Sequence, residues 1–219
     1  KNPVTALKEK QKKQGVFSLQ KTVLTFQFTV TIAIIACSLL FYNQVQYIKN
    51  KDLGLQADGM VVVDINSGKL RSNFEAIKTE FGRIPEVTAV SVTSRVPGEW
   101  KILPVVGVVT ATEKSAQPRD MLFLGADKDF IKAYEVKLTA GENFSGLPGD
   151  SSKVLINQTA ANALGLKNPV GQWIEIPSAN FNGDKVTLET PFKAQVAGVT
   201  ADFHFEDFHQ KIRPMIISN

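Results

Sequence analysis

The sequence predicts an α+β fold class: one N-terminal transmembrane and stalk helix, followed by a mixed α/β extracytoplasmic domain. Three observations carry this. A long uncharged apolar stretch stands near the N-terminus, positive charge is concentrated on one side of it, and the remaining 165 or so residues mix strand-like and helix-like patterns without a steady βαβ rhythm.

The apolar stretch comes first. No charged residue lies between Lys21 and Lys49, and Val23–Tyr42 reads VLTFQFTVTIAIIACSLLFY. Twenty residues at about 1.5 Å each cover a hydrocarbon core of about 30 Å. Eleven of them are Val, Leu, Ile or Phe, which contribute about −3 to −7 kcal/mol to insertion. A signal peptide fits poorly, because its apolar region is shorter and a small-residue cleavage site should follow. Phe41-Tyr42-Asn43-Gln44 follows instead.

The formal net charge of +4 could suggest a nucleic-acid partner, but its location excludes that reading. Residues 1–21 hold Lys1, Lys8, Lys10, Lys12, Lys13 and Lys21 against Glu9. The rest of the chain is left with 19 basic and 20 acidic side chains. Lysines on one flank of a span face the cytoplasm and anionic lipid. The expected order is therefore a cytoplasmic segment at 1–21, a transmembrane and stalk helix at 22–53, and an outer domain at 54–219. The one cysteine, Cys37, lies inside the span and can form no intrachain disulfide.

At 100° per residue, Thr22, Thr25, Thr29, Ala33 and Ala36 share one side of the helix. Gln27, Thr31 and Ser38 share the opposite one. Small and hydroxyl side chains serve helix contacts in lipid, so two such strips predict packing on two sides. Beyond the bilayer, Phe41, Val45 and Ile48 continue an apolar stripe, and no proline or glycine interrupts the chain before Leu53 and Gly54. Gly54 is the first candidate cap, which predicts a rod of about 48 Å from Thr22 to Leu53.

In the outer domain, Met60–Ile65 and Val87–Thr93 read as strands, separated by a helix over 69–81 capped by Asn66 or Ser67. Further strands are expected at 103–110, 121–125, 154–156, 173–176, 186–189, 193–199 and 215–218. Short helices fit 129–134 and 158–164, with Asn157 capping the second and Gly165 ending it. The stretches 146–152 and 178–184 read as loops.

Chemistry-bearing motifs are missing: there is no phosphate-binding G-x-x-x-x-G-K-[ST], no G-x-G-x-x-G and no G-x-S-x-G. The cluster Asp202-Phe203-His204-Phe205-Glu206-Asp207-Phe208-His209 could suggest a metal. A five-residue spacing of the two histidines places them on different faces of a helix or a strand, however. No catalytic residue, metal or cofactor is expected. The phenylalanines are expected to pack inward and the polar neighbours to be solvated.

Four stretches resemble one family. They are Asn2-Pro3-Val4-x-Ala6-Leu7-Lys8; Phe26-Gln27-Phe28 with Tyr47-Ile48-x-Asn50-Lys51-Asp52-Leu53-Gly54; Val154-Leu155-Ile156-Asn157-x-x-Ala160-x-x-x-Leu164-Gly165 with Pro169-Val170-Gly171; and Gly198-Val199-x-x-Asp202-Phe203-His204-Phe205 with His209-x-x-Ile212-x-Pro214. In this order they resemble the MacB/FtsX-type permease subunits of ABC transporters, particularly the large permeases of Bacteroidota. The resemblance implies a periplasmic domain with a porter-like part at 60–145 and 193–219 and a smaller insert at about 146–192. It also implies residence in the inner membrane, a cytoplasmic ABC ATPase, a second permease copy and, in some members, a periplasmic adaptor or outer-membrane channel. Such a permease half has several spans, so the chain is expected to be a segment of a longer subunit. Two rival readings are a single-pass receptor with an extracytoplasmic ligand-sensing domain and a membrane-anchored enzyme. The missing constellation of catalytic groups disfavours the latter.

Overall fold

A computed structural model describes residues 19–49, 51–65, 67–99, 101, 103–111, 117–181, 184–206 and 211–219. The chain divides into two compact units, Lys1–Lys51 and Asp52–Asn219.

Among the described residues of the first unit one helix, α1, runs over Leu19–Lys49. It is long and apolar enough to cross a membrane, and its span from Leu19 to Ile48 has no buried residue. The hydroxyls of Thr29, Thr31 and Ser38 donate to the carbonyls of Thr25, Gln27 and Ile34 one turn back, at 2.8, 2.9 and 2.8 Å. These hydroxyl donors are thus satisfied within the helix. The helix ends four residues before the expected Leu53. Beyond it Lys51 N–H donates to Ile48 O at 3.3 Å. Asp52 then turns its carboxylate onto the Gly54 N–H at 2.8 Å, a local bond that competes with helical pairing.

Among its described residues the second unit has seven strands: β1 Val105–Thr110, β2 Arg119–Gly125, β3 Leu138–Gly141, β4 Lys153–Asn157, β5 Trp173–Phe181, β6 Asp184–Thr200 and β7 Met215–Ser218. Their order is β3-β6-β4-β7-β2-β1-β5, and β5 also pairs with β6, so the hydrogen bonding closes a six-stranded ring. Closure removes two open edges that would otherwise be free to pair with other chains. Along β6, β5 covers Asp184–Gln195, and β3 pairs further on with Gly198–Thr200. The β2–β7 and β4–β6 pairs are parallel; the others are antiparallel. Residues 146–192 supply β4, β5 and the first half of β6 to this same sheet.

The middle strands are buried on both faces, so alternate side chains feed two cores. Met121, Val154, Ile156 and Ile216 point to one, where Ala160, Ala161 and Leu164 of helix α5 (Gln158–Ala163) and its C-terminus cover them. Leu122, Leu124, Leu155, Met215 and Ile217 point to the other, closed by Phe130, Tyr134, Phe203 and Phe205. Phe130 lies on the short helix α4, Phe130–Ala133.

Several expected elements differ. Residues 60–65 form no strand, and Val61 is 86% exposed. An apolar β-branched run becomes a strand only where an edge accepts its backbone. The segment 87–93 likewise makes only one bridge, Thr93 to Ala126, extended by Ser94 N–H to Gly125 O at 2.7 Å and Asp127 N–H to Val92 O at 3.0 Å. The helix expected over 69–81 is two: α2, Gly68–Ser72, and α3, Phe74–Gly82. Ser67 caps α2 by accepting from Leu70 N–H. Asn73 then bonds back to Leu70 O and starts the next helix through its own carbonyl. Neither helix buries a residue, so no core contact enforces continuity. Strand β3 was not anticipated. The strands expected at 186–189 and 193–199 are one strand, with a register shift opposite Pro177. Of the loop expected at 178–184, residues 178–181 belong to β5 and Asp184 to β6, while 182 and 183 lie outside the described residues; 146–152 contains a 3₁₀ turn, Pro148–Ser152.

Candidate functional site

One group of hydrogen-bonded polar side chains in the second unit lies where β4 and β6 end and β7 begins. Asn157, at the end of β4, is 2% exposed. Its side-chain oxygen accepts from Ala160 N–H at 2.9 Å, capping α5, and from Met215 N–H at 3.0 Å. Its amide nitrogen donates to Arg213 O at 2.9 Å. One side chain therefore joins a helix start to the first residue of β7, and Pro214 between these partners accepts from Leu122 N–H at 2.8 Å.

Two residues past the end of β6, Asp202 accepts from Thr159 N–H at 2.9 Å and from the Thr159 hydroxyl at 2.8 Å. With Asn157, it satisfies two of the amides left unpaired at the start of α5. Asp202 is thus bonded where the sequence suggested a solvated neighbour. Phe203 and Phe205 are buried, and the Phe203 ring lies 6.3 Å from that of Phe130. Phe208 and His209 lie outside the described residues. Among the described residues no three His, Cys, Asp or Glu side chains group as a metal site.

The segment that opens the second unit docks here too. His204 N–H donates to Leu53 O at 2.8 Å, and Gln56 N–H to Tyr134 O at 2.8 Å. Gly54 takes φ +72°, and a Cβ there would stand 2.6 Å from Asp202 O and 3.1 Å from Phe203 Cα. Only glycine meets both demands. A small cleft beside this joint is floored by Leu122, Phe203, Phe205 and Met215 and rimmed by Glu206 and Arg213, whose charges stand 3.4 Å apart.

The structure thus brings Leu53, Gly54, Asn157, Asp202, Phe203, His204 and Pro214 together. Other expected positions lie elsewhere. Leu164 and Gly165 (φ +68°) close α5. Pro169 and Gly171 form the turn into β5, where Gly171 N–H donates to Val196 O at 2.8 Å. Thr22, Thr25, Gln27, Thr29, Thr31, Ala33, Ala36, Ser38, Val45 and Ile48 lie on α1.

Two polar clusters had no sequence signal because their partners are distant or their loop looks featureless. Lys78 on α3 pairs with both Asp127 and Asp129. Asp127 also accepts from Ser91 Oγ at 2.8 Å and Val92 N–H at 3.1 Å. Burial opposes the Lys78 charge, but the hydrogen bonds and charges of the two aspartates outweigh it and raise its pKa above the ordinary lysine value. Asp150, with no exposed surface, accepts from Gly146 N–H at 2.7 Å and Ser145 Oγ at 3.1 Å. Burial pushes its carboxyl up. These bonds and Lys153 prevail and hold it below the ordinary range. Both clusters hold backbone segments in place.

The chain was compared with known proteins. The crystal structure of a domain of a putative permease from Porphyromonas gingivalis is 15% identical, with 61% of this chain and 52% of that one covered and a TM-score of 0.40. The periplasmic region of MacB from Actinobacillus actinomycetemcomitans is 13% identical, with 64% and 53% covered and a TM-score of 0.36. The extracellular domain of the ABC-type transporter YknZ from Gram-positive bacteria is 14% identical, with 69% and 67% covered and a TM-score of 0.42. The chain spans about half the length of the first two. No curated protein matches the sequence. The family described as the MacB-like periplasmic core domain matches residues 26–216, from within α1 to β7. The chain belongs to this family, a domain of ABC-transporter permeases.

Proposed function

We propose that the chain is a working part of a MacB/FtsX-type permease subunit and passes ATP-driven movement from the membrane to a periplasmic domain for export or extraction of a substrate. In this reading residues 1–21 lie in the cytoplasm, α1 crosses the inner membrane, and residues 54–219 face the periplasm. The partners are a cytoplasmic ABC ATPase and a second permease copy, joined in some assemblies by a periplasmic adaptor or outer-membrane channel. The chain itself performs no catalysis, and ATP hydrolysis belongs to the partner.

The observation that carries the proposal is the reach of the family match, which begins inside the apolar helix and ends in the last strand. Helix and domain thus belong to one family unit. The lysine-rich flank before the helix supports the direction of crossing. The short separation supports coupling: three residues lie between Lys49, the last of α1, and Leu53, whose carbonyl is held by His204.

The test uses the full-length permease with its ATPase in lipid nanodiscs, with spin labels on the exposed residue Val170 of each copy. A nucleotide-dependent change in the distance between labels is expected. The same distance with and without nucleotide, in an assembly that hydrolyses ATP, would refute transmission. A change produced by a small ligand without any ATPase would favour a receptor.

A further inference from the structure

Asp202 touches two parts of the second unit at once. Its main-chain carbonyl occupies the space that any side chain at Gly54 would need, with a Cβ-to-oxygen distance of 2.6 Å. Its carboxylate holds Thr159 by two bonds of 2.9 and 2.8 Å. The adjoining His204 N–H fixes Leu53 O at 2.8 Å. Leu53 and Gly54 therefore cannot shift without pressing on residues 202–204. Asp202 in turn cannot shift without moving the start of α5. From there Asn157 continues to Met215 N–H and Arg213 O, at the head of β7.

We infer that Gly54 and Asp202 form a mechanical joint: displacement arriving at Leu53–Gly54 enters the domain through the main chain of Asp202 and reaches α5 through its carboxylate. Gly54 supplies close contact without a compressible side chain, and Asp202 supplies a charge-assisted link that tightens rather than slips. Asp202 is a positioning residue, acting through Thr159. The inference rests on the proposed transport role, because that role supplies the displacement.

Hydrogen exchange followed by mass spectrometry on the full-length permease and its ATPase in nanodiscs tests it, with and without ATPγS. In the wild type, nucleotide should change exchange at residues 53–56 and 158–163 together. In Asp202→Ala the amide of Thr159 should exchange about ten- to a hundredfold faster without nucleotide, as expected for loss of bonds to a charged group. The nucleotide response should persist at 53–56 and vanish at 158–163. Thr159→Val keeps the amide bond and loses the hydroxyl bond, so about a three- to tenfold rise is expected. It decides the matter if Asp202→Ala loses protection throughout the domain. A nucleotide response at 158–163 of unchanged size in both variants would overturn the joint while leaving the transport role intact. No nucleotide response anywhere in 52–219 of the wild type would instead overturn the transport role.

Discussion

Replacing Asn157 by alanine tests a buried side chain that makes three hydrogen bonds to two ends of the fold. The substitution removes the cap of α5, which costs about 1 kcal/mol in comparable helices. It also leaves the Met215 N–H, in a residue 3% exposed, without its partner. An orphaned buried donor costs about 1–3 kcal/mol. Arg213 O loses a bond as well, but its residue is only half-buried and water can replace the partner. The expected total is about 3 kcal/mol, within a range of about 2–5. For a chain of this size that lowers Tm by about 6–12 °C. Guanidinium denaturation of the intact protein in detergent, followed by tryptophan emission, measures it. Asn157→Asp keeps both acceptor bonds and should lose less. Asn162→Ala, at an exposed position on the same helix, should lose under about 0.5 kcal/mol. A loss below about 1 kcal/mol for Asn157→Ala would show that its three bonds do not hold the strand and helix ends together.

Two further perturbations separate the causes at work elsewhere. Gly54 and Gly165 are both left-handed, but only Gly54 is crowded, since nothing lies within 4 Å of a Cβ at Gly165. Gly165→Ala should therefore cost about 1 kcal/mol of backbone strain, whereas Gly54→Ala should cost at least about 2 because the contact adds to the strain; equal losses by denaturation would contradict this. For Lys78 the folded pKa is raised above the ordinary value of 10.5, so its contribution is complete below that pH and fades as pH rises through the folded value. The stability difference between wild type and Lys78→Met should accordingly stay flat from about pH 7 to 9 and shrink above about 10.5; a difference already shrinking below pH 9 would contradict the raised pKa.

Elements whose signal is local were legible in the sequence. The uncharged run 22–48 became α1, Ser67 capped α2, Asn157 capped α5, and Met215–Ser218 formed a strand at its expected bounds. What failed depended on partners. Val61, Val62 and Val63 have strand propensity, but nothing among the described residues pairs with them as a strand. Leu138–Gly141 is short and mostly exposed, so it shows no alternation, yet β6 accepts it as a partner. Pro191, between the two strands expected at 186–189 and 193–199, lies in the irregular stretch of β6 opposite Pro177, where a missing N–H does little harm. At the candidate site, Asp202 read as a solvated side chain because its partner Thr159 lies 43 residues away. The glycine at 54 read as a helix cap because its demand for space comes from residue 202, which no local pattern reveals.

The most direct test of the account is the side of the membrane on which each end of the chain lies. In a Cys37→Ser background, single cysteines at Lys8, Lys10 and Val170 are exposed to a membrane-impermeant maleimide applied to spheroplasts. Labelling at Val170 alone, with Lys8 and Lys10 reacting only after the membrane is permeabilised, is the predicted result. Labelling at Lys8 and Lys10 but not at Val170 would reverse the polypeptide and remove the basis for a periplasmic domain moved from inside.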